Sequence, residues 1–222
     1  MAKIYIVANL KSYKNLAEAK EWLDSFKEIK ETEANLADKE IIICPPFQLL
    51  FTFSSYIHDN NVSVKLGAQN LSPFDEGAYT GEVNAQQLRD FVDYVIIGHS
   101  ERRKYFNESD DMLKNKTSLA LKYNLTPIFC VQNKDTYVPE GVSVIAYEPV
   151  FAIGSGNPDT PKNANETAQS FKNKNGDYSV LYGGSVTSGN VANFTKMQQI
   201  KGVLVGGASL DPREFIKIIQ NA

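Results

Sequence analysis

Four side chains able to do acid–base or anion-holding chemistry stand directly after apolar runs in this chain. Asn9 and Lys11 follow the run at 4–7, His99 follows the run at 94–97, and Glu148 closes the run at 142–147. Asn9 and Lys11 are two apart, so on an extended chain they point the same way. An ammonium and an amide on one side could hold an anionic substrate. Taken alone, the tripeptide Asn9-Leu10-Lys11 also reads as a strand end with a surface lysine. His99 lies in Ile97-Gly98-His99-Ser100-Glu101-Arg102-Arg103, where a helix is predicted to start near Ser100. Helix N-terminal N–H groups disfavour a positive imidazole, and a neutral one can donate a hydrogen bond to a carbonyl or enediolate oxygen. A capping or core histidine is the other reading.

Glu148 opens Glu148-Pro149-Val150-Phe151-Ala152-Ile153-Gly154-Ser155-Gly156, an apolar loop with proline at its start and two glycines near its end. Such a loop reads as a lid that closes over a site and excludes water. The carboxylate at its base is then the natural general base. Alternatively, Glu148 is a strand-end acid paired with one of the arginines. Two glycine pairs follow later apolar runs, in Tyr182-Gly183-Gly184-Ser185 and in Val205-Gly206-Gly207-Ala208-Ser209-Leu210. Glycines let backbone N–H groups approach an anion closely.

The elements that must position these groups are legible as alternation. Apolar runs at 4–7, 41–44, 62–66, 94–97, 127–131, 142–147, 179–182 and 202–205 are eight candidate strands. Several are continuous, as in parallel strands covered on both faces. Between them lie helical patterns. Leu16, Ala19, Leu23, Phe26 and Ile29, with Trp22 beside them, share one helical face, as do Leu113, Thr117, Ala120 and Leu121. The stretch 107–109 offers caps for the second of these, and Asp211-Pro212-Arg213-Glu214 resembles a capping box before Phe215, Ile216 and Ile219. Eight strand–helix repeats predict one α/β domain over 1–222 with a parallel sheet. Closed barrel and open doubly wound sheet both fit. The stretch 134–141 is short for an outer helix, so one helix is expected to be shortened there.

Composition narrows the partners. The chain has 222 residues, 42% hydrophobic and 22% charged, with a net charge of −3. No basic excess points to nucleic acid or a membrane surface, and no apolar run is long enough to span a bilayer. Cys44 and Cys130 lie far apart with no CxxC, and the first residues lack a signal-peptide pattern, so a cytoplasmic setting is expected.

Gly67-Ala68-Gln69-Asn70 with Gly77-Ala78-Tyr79-Thr80-Gly81-Glu82, together with IIGHSERR, YEPVFAIGSG, YGGSV and GVLVGGASL, resembles the triosephosphate isomerase family along essentially the whole chain. The resemblance implies a (β/α)8 barrel whose site lies at the C-terminal ends of the strands, with phosphate held by the loops after strands seven and eight. It implies that Glu148 is the catalytic base and His99 the electrophile. This family is itself the usual illustration of a glutamate base beside an uncharged histidine under a closing loop. Asn9 and Lys11 match its substrate-binding pair, and Glu101 its supporting acid. Gly154, Ser185, Gly206 and Gly207 match its phosphate-gripping positions. The implied substrate is a triose phosphate, with no metal or organic cofactor, since both steps are proton transfers. The loop 69–82 matches a dimer loop, so a homodimer is implied. The chain also departs from the family. ANLKSY at 8–13 replaces the usual GNWKMN, Phe151 and Ser155 replace Trp and Thr, and Asn157-Pro158-Asp159 replaces the usual Lys-Thr-Ala lid exit. Val131-Gln132-Asn133 stands in place of Ile-Gly-Glu. The compact chain resembles bacterial members.

Overall fold

The computed structural model describes residues 3–33, 38–152, 156–175 and 177–222, the side chains at 29–33 and 172–175 excepted. Eight parallel strands close into a barrel in chain order: β1 (Ile4–Asn9), β2 (Lys39–Cys44), β3 (Lys65–Ala68), β4 (Tyr94–Ile97), β5 (Thr126–Val131), β6 (Val144–Tyr147), β7 (Ser179–Tyr182) and β8 (Ile200–Val205), with β8 pairing back to β1. The helices are α1 (Leu16–Glu33), α2 (Leu50–Asp59), α3 (Ala85–Leu88), α4 (Ser100–Phe106), α5 (Asp110–Lys122), α6 (Pro161–Asn175), α7 (Val191–Thr195) and α8 (Pro212–Asn221). Both α4 and α5 follow β4. The shortening expected near 134–141 is complete, because residues 132–143 pass from β5 to β6 by turns alone.

Strand alternation feeds two cores. Val7, Ile42, Cys44, Ile96, Ile128, Cys130, Val144, Ala146, Leu181 and Leu204 pack together inside the barrel. Their neighbours in sequence, such as Ile6, Ala8, Ile41, Ile43, Val95, Ile97, Ile145, Val180 and Val203, face outward to the helices. Each buried aliphatic side chain contributes roughly 1.5–3 kcal/mol. The same parity carries Asn9, the last residue of β1, and Glu148, Gly183 and Gly206, each just past its strand, toward the barrel axis.

The sequence patterns differ from the structure in places. The third strand is displaced from 62–66 to β3, because Val62 and Val64 serve the turn after α2. There Val62 N–H donates to Ile57 at 3.0 Å and Asn61 takes a left-handed φ of 51°. On α1, Ala19, Trp22, Leu23 and Phe26 are buried but Leu16 is exposed, and on α5 the buried face takes Lys116 while Leu121 is exposed. Asn15 caps α1, its Oδ1 accepting from Ala17 and Glu18 while Glu18 accepts from its N–H. Asp211 caps α8 by accepting from Arg213 N–H at 2.9 Å, with Pro212 in the first turn. Glu214 does not complete a capping box; it accepts from Ser188 N–H and hydroxyl at 2.8 and 3.1 Å.

Closure of the barrel rests on Gly202. The β7–β8 register slips by one residue between Val180 and Leu181, and Gly202 sits there at φ 152°. A Cβ at this position would overlap the Tyr5 carbonyl of β1. Gly202→Ala is therefore expected to cost about 3 kcal/mol or more in a urea melt. A loss of less than about 1 kcal/mol would contradict this account of the seam.

Candidate active site

The turn after β1 is built on a strained backbone. Asn9 Oδ1 accepts from Lys11 N–H at 3.0 Å, and Lys11 itself takes φ 52°. A left-handed conformation costs a β-carbon residue roughly 1–2 kcal/mol and is kept where the surroundings enforce it. Gln69, just past β3, does so by donating to the carbonyls of Lys11 and Cys44 at 2.8 and 2.9 Å. The lysine stem then lies against Gly206, and its Nζ pairs with Glu101. Beneath this turn, Ser209 is fully buried. Its hydroxyl donates to the Gly206 carbonyl at 2.7 Å and approaches that of Asn9 at 3.4 Å, and its own carbonyl accepts from Trp22 Nε1 at 3.1 Å.

Strand parity alone would send His99 outward, since Ile97 faces the helices. Gly98 breaks the alternation with φ 71°, and His99 becomes the N-cap of α4. Arg103 holds this turn against β5, its Nε donating to the Gly98 carbonyl at 2.9 Å and its Nη2 to that of Cys130 at 3.3 Å. The His99 ring is oriented at both nitrogens. Nδ1 accepts from Glu101 N–H at 3.2 Å, so it carries no proton, and Nε2–H is free to donate to Glu148 Oε1 at 3.0 Å. The ring is thus the neutral Nε2–H tautomer, although the Glu101 carboxylate lies 3.7 Å from Nδ1.

Glu148 is 1% exposed and has no arginine partner among the described contacts; its second oxygen accepts from Ser100 N–H at 2.8 Å. Burial pushes its carboxyl above the ordinary value, and His99, Ser100 and Lys11 pull it partly back. The Cys130 thiol beside it is pushed well up, first by burial and then by the Glu148 charge.

Asn9, Lys11, His99 and Glu148 share one cavity of about 230 Å³ with Gly156, Gly183, Gly184, Ser185, Gly206 and Gly207. A backbone-lined end thus faces the titratable end. Glu101 is not part of the lining and acts on the cavity through Lys11 and His99. The chain after Glu148 forms a 3-10 turn at Val150–Ala152, in which Val150 and Phe151 are exposed and Ala152 is buried. The Ser185 hydroxyl donates to the Ala152 carbonyl at 2.7 Å, tying this turn to the loop after β7. Ile153, Gly154 and Ser155 lie outside the described residues. Among the described residues no His, Cys, Asp and Glu side chains group as metal ligands, and no helix is long and apolar enough to cross a membrane.

Gln69, Arg103, Ser209 and Trp22 hold the site from outside it, each with a partner 25 or more residues away along the chain that the sequence does not reveal. The partners of Gln69 and Arg103 are strand-end carbonyls, which no spacing rule exposes.

Fold and cavity together define a (β/α)8-barrel with an acid–base site at the C-terminal ends of its strands. The triosephosphate isomerase family model matches residues 4–142 and 139–222, in two pieces that meet within the helix-free connection after β5. Triosephosphate isomerase of Dictyoglomus turgidum is 39% identical, the alignment covering all of both chains. Those of Trichodesmium erythraeum and Endomicrobium trichonymphae are 38% and 37% identical, over 99% of each chain. The chain belongs to the triosephosphate isomerase family. The 254-position alignment with the Dictyoglomus protein exceeds the 222 residues here, so that relative carries segments this chain lacks.

The burial of Glu148 has a consequence for stability. Its folded-state pKa is raised, so folding disfavours the ionised form, and stability is lost as pH rises from the ordinary value of 4.5 through the raised one. The stability of Glu148→Gln relative to the parent is expected to increase with pH across that window and then level off. A flat or falling difference in urea melts would contradict it.

Proposed function

We propose that this chain, acting as a single domain over 1–222, interconverts glycerone phosphate (dihydroxyacetone phosphate) and D-glyceraldehyde 3-phosphate through an enediolate. The observation that carries this reading is the shared cavity in which Glu148, His99 and Lys11 face Gly183, Gly184, Gly206 and Gly207. Family membership supplies the substrate.

Glu148 is the base. In the resting site its carboxylate is held by Ser100 N–H and His99 Nε2–H. A substrate carbonyl oxygen would take over the His99 Nε2–H, leaving Glu148 to turn toward the carbon beside that carbonyl and remove its proton. Desolvation, which raises the carboxyl's pKa, also makes it a stronger base than a solvated carboxylate. His99 Nε2–H and the Lys11 ammonium stabilise the enediolate oxygens as charge develops. The proton then returns to the neighbouring carbon. At the other end Ser185, Gly206 and Gly207 present donors to the phosphate, as does Gly154 by resemblance, and that remote binding orients the reacting carbons. Glu101 positions the Lys11 ammonium. By resemblance, a lid formed by 149–156 suppresses phosphate loss from the enediolate. Two proton transfers call for no metal or organic cofactor.

The chain acts as a cytoplasmic homodimer through the loop 69–82. Phe74 and Tyr79 stack at 4.4 Å with both rings exposed. Asp75 is fastened to Lys122 and, at 2.7 Å, to Tyr123. A preformed loop with an apolar tip is suited to insert into a second copy. Both cysteines are free and buried.

Glu148→Asp withdraws the carboxylate by roughly 1 Å and is expected to lower kcat about a hundredfold in a coupled isomerase assay. Near-parental kcat would remove Glu148 from its role. Light scattering should give twice the chain mass, and Tyr79→Asp should shift it toward the single chain; a monomeric parent would overturn the dimer.

A further inference from the structure

Asp159, which lies where the chain leaves the segment 149–156, is a buried carboxylate in a protein of this size with few of them. It stands in a stretch where the chain departs from the family's usual residues, so no matched role covers it. Its Oδ1 accepts from Thr160 N–H at 2.7 Å, and its Oδ2 accepts from Asn163 Nδ2 at 2.7 Å and from the Tyr147 hydroxyl at 3.3 Å. Its own N–H donates to the Tyr182 hydroxyl at 2.7 Å. Thr160 in turn caps the start of α6, its Oγ1 accepting from Asn163 N–H at 3.2 Å, where a negative charge is favoured.

The two tyrosines are the residues immediately before the chemistry. Tyr147 precedes Glu148, and Tyr182 precedes Gly183-Gly184-Ser185. Their strands are joined at this level by Gly183 N–H donating to the Tyr147 carbonyl at 2.7 Å. The position of the Tyr182 hydroxyl also explains Gly184, since a Cβ there would collide with it. Burial keeps both phenols protonated, pushing each up to about 12. Tyr182 is further fixed by stacking on Phe194 at 3.9 Å.

We propose that Asp159 is a positioning residue that holds the end of β6, with the base, and the end of β7, with the phosphate loop, in fixed relation through Tyr147 and Tyr182. This rests on the isomerase reading for its consequence on turnover. The carboxylate reaches Tyr147 and the main-chain N–H reaches Tyr182, so the one residue spans both strands, whereas an alanine there would keep only the link to Tyr182. Loss of the carboxylate takes this partner from the buried Tyr147 hydroxyl and frees the exposed Asn163 amide that braces it. The strand ends then shift against each other, and reacting groups and phosphate grip lose register together.

The test uses the full chain and a swap. Asp159→Asn keeps an oxygen for Thr160 but turns an NH₂ toward the Asn163 NH₂. Adding Asn163→Asp returns an acceptor to that pair. Asp159→Asn is expected to lower kcat about tenfold and to weaken 2-phosphoglycolate binding by calorimetry about tenfold, with most of both regained in the double variant. Values for Asp159→Asn within about twofold of the parent, or a double variant no better than the single, would overturn the proposal. If Asp159→Asn does not fold, Tyr147→Phe carries the test, with smaller losses in the same two quantities expected and no loss overturning it. A parent chain that binds 2-phosphoglycolate without isomerase turnover would defeat the isomerase reading instead, and the binding measurements would still decide the role of Asp159.

Discussion

The site depends on one buried carboxylate held by two uncharged donors. Glu148 has almost no access to water, and its two oxygens are met by the Ser100 N–H and the His99 Nε2–H. Burial raises its carboxyl, and His99, Ser100 and Lys11 offset that only in part, so it stays above the ordinary range. A fully paired acid would be more stable and a poorer base. The nearest cation, Lys11, is drawn aside to Glu101. The charge arrangement thus keeps a base available without quenching it.

The barrel makes this arrangement possible by parity. Side chains alternate between the interior and the helix layer, and the last inward position of several strands delivers a functional group to one rim. Where parity would fail, as at His99, a left-handed Gly98 resets it. The strain at Lys11 belongs to the same design, since an extended residue there would carry the ammonium past the cavity. Around this rim lies a set of side chains that touch no reacting atom: Gln69, Arg103, Ser209 and Asp159. Each receives or donates hydrogen bonds at strand ends, where backbone groups have no ladder partner.

Much of this was legible in the residues. Strands announce themselves by apolar runs, and Asn9, Lys11, His99 and Glu148 follow such runs directly. Periodicity was silent on closure, and it misplaced β3 because Val62 and Val64 are apolar for the sake of a turn. It also could not show that Lys116, a lysine, takes a core position. There it pairs with Glu108 and donates to Asn70 at 2.7 Å, and Arg102 joins Glu108 at 2.5 Å. Long-range polar pairing of this kind has no spacing rule. The same holds for Asp159, which in sequence is one residue of an unusual lid exit and becomes significant only once two tyrosines meet it.

The central claim is that the His99 imidazole is neutral and donates a hydrogen bond from its single N–H, on Nε2, to the Glu148 carboxylate. The chain has two histidines, and the other, His58, is well exposed, so nitrogen-15 NMR of labelled protein can separate the rings. At pH 7, His99 should show an unprotonated, hydrogen-bonded Nδ1 and a protonated Nε2, with the Nε2 signal moving when Glu148 is replaced by Gln. Two protonated nitrogens, or a proton on Nδ1 alone, would contradict the account.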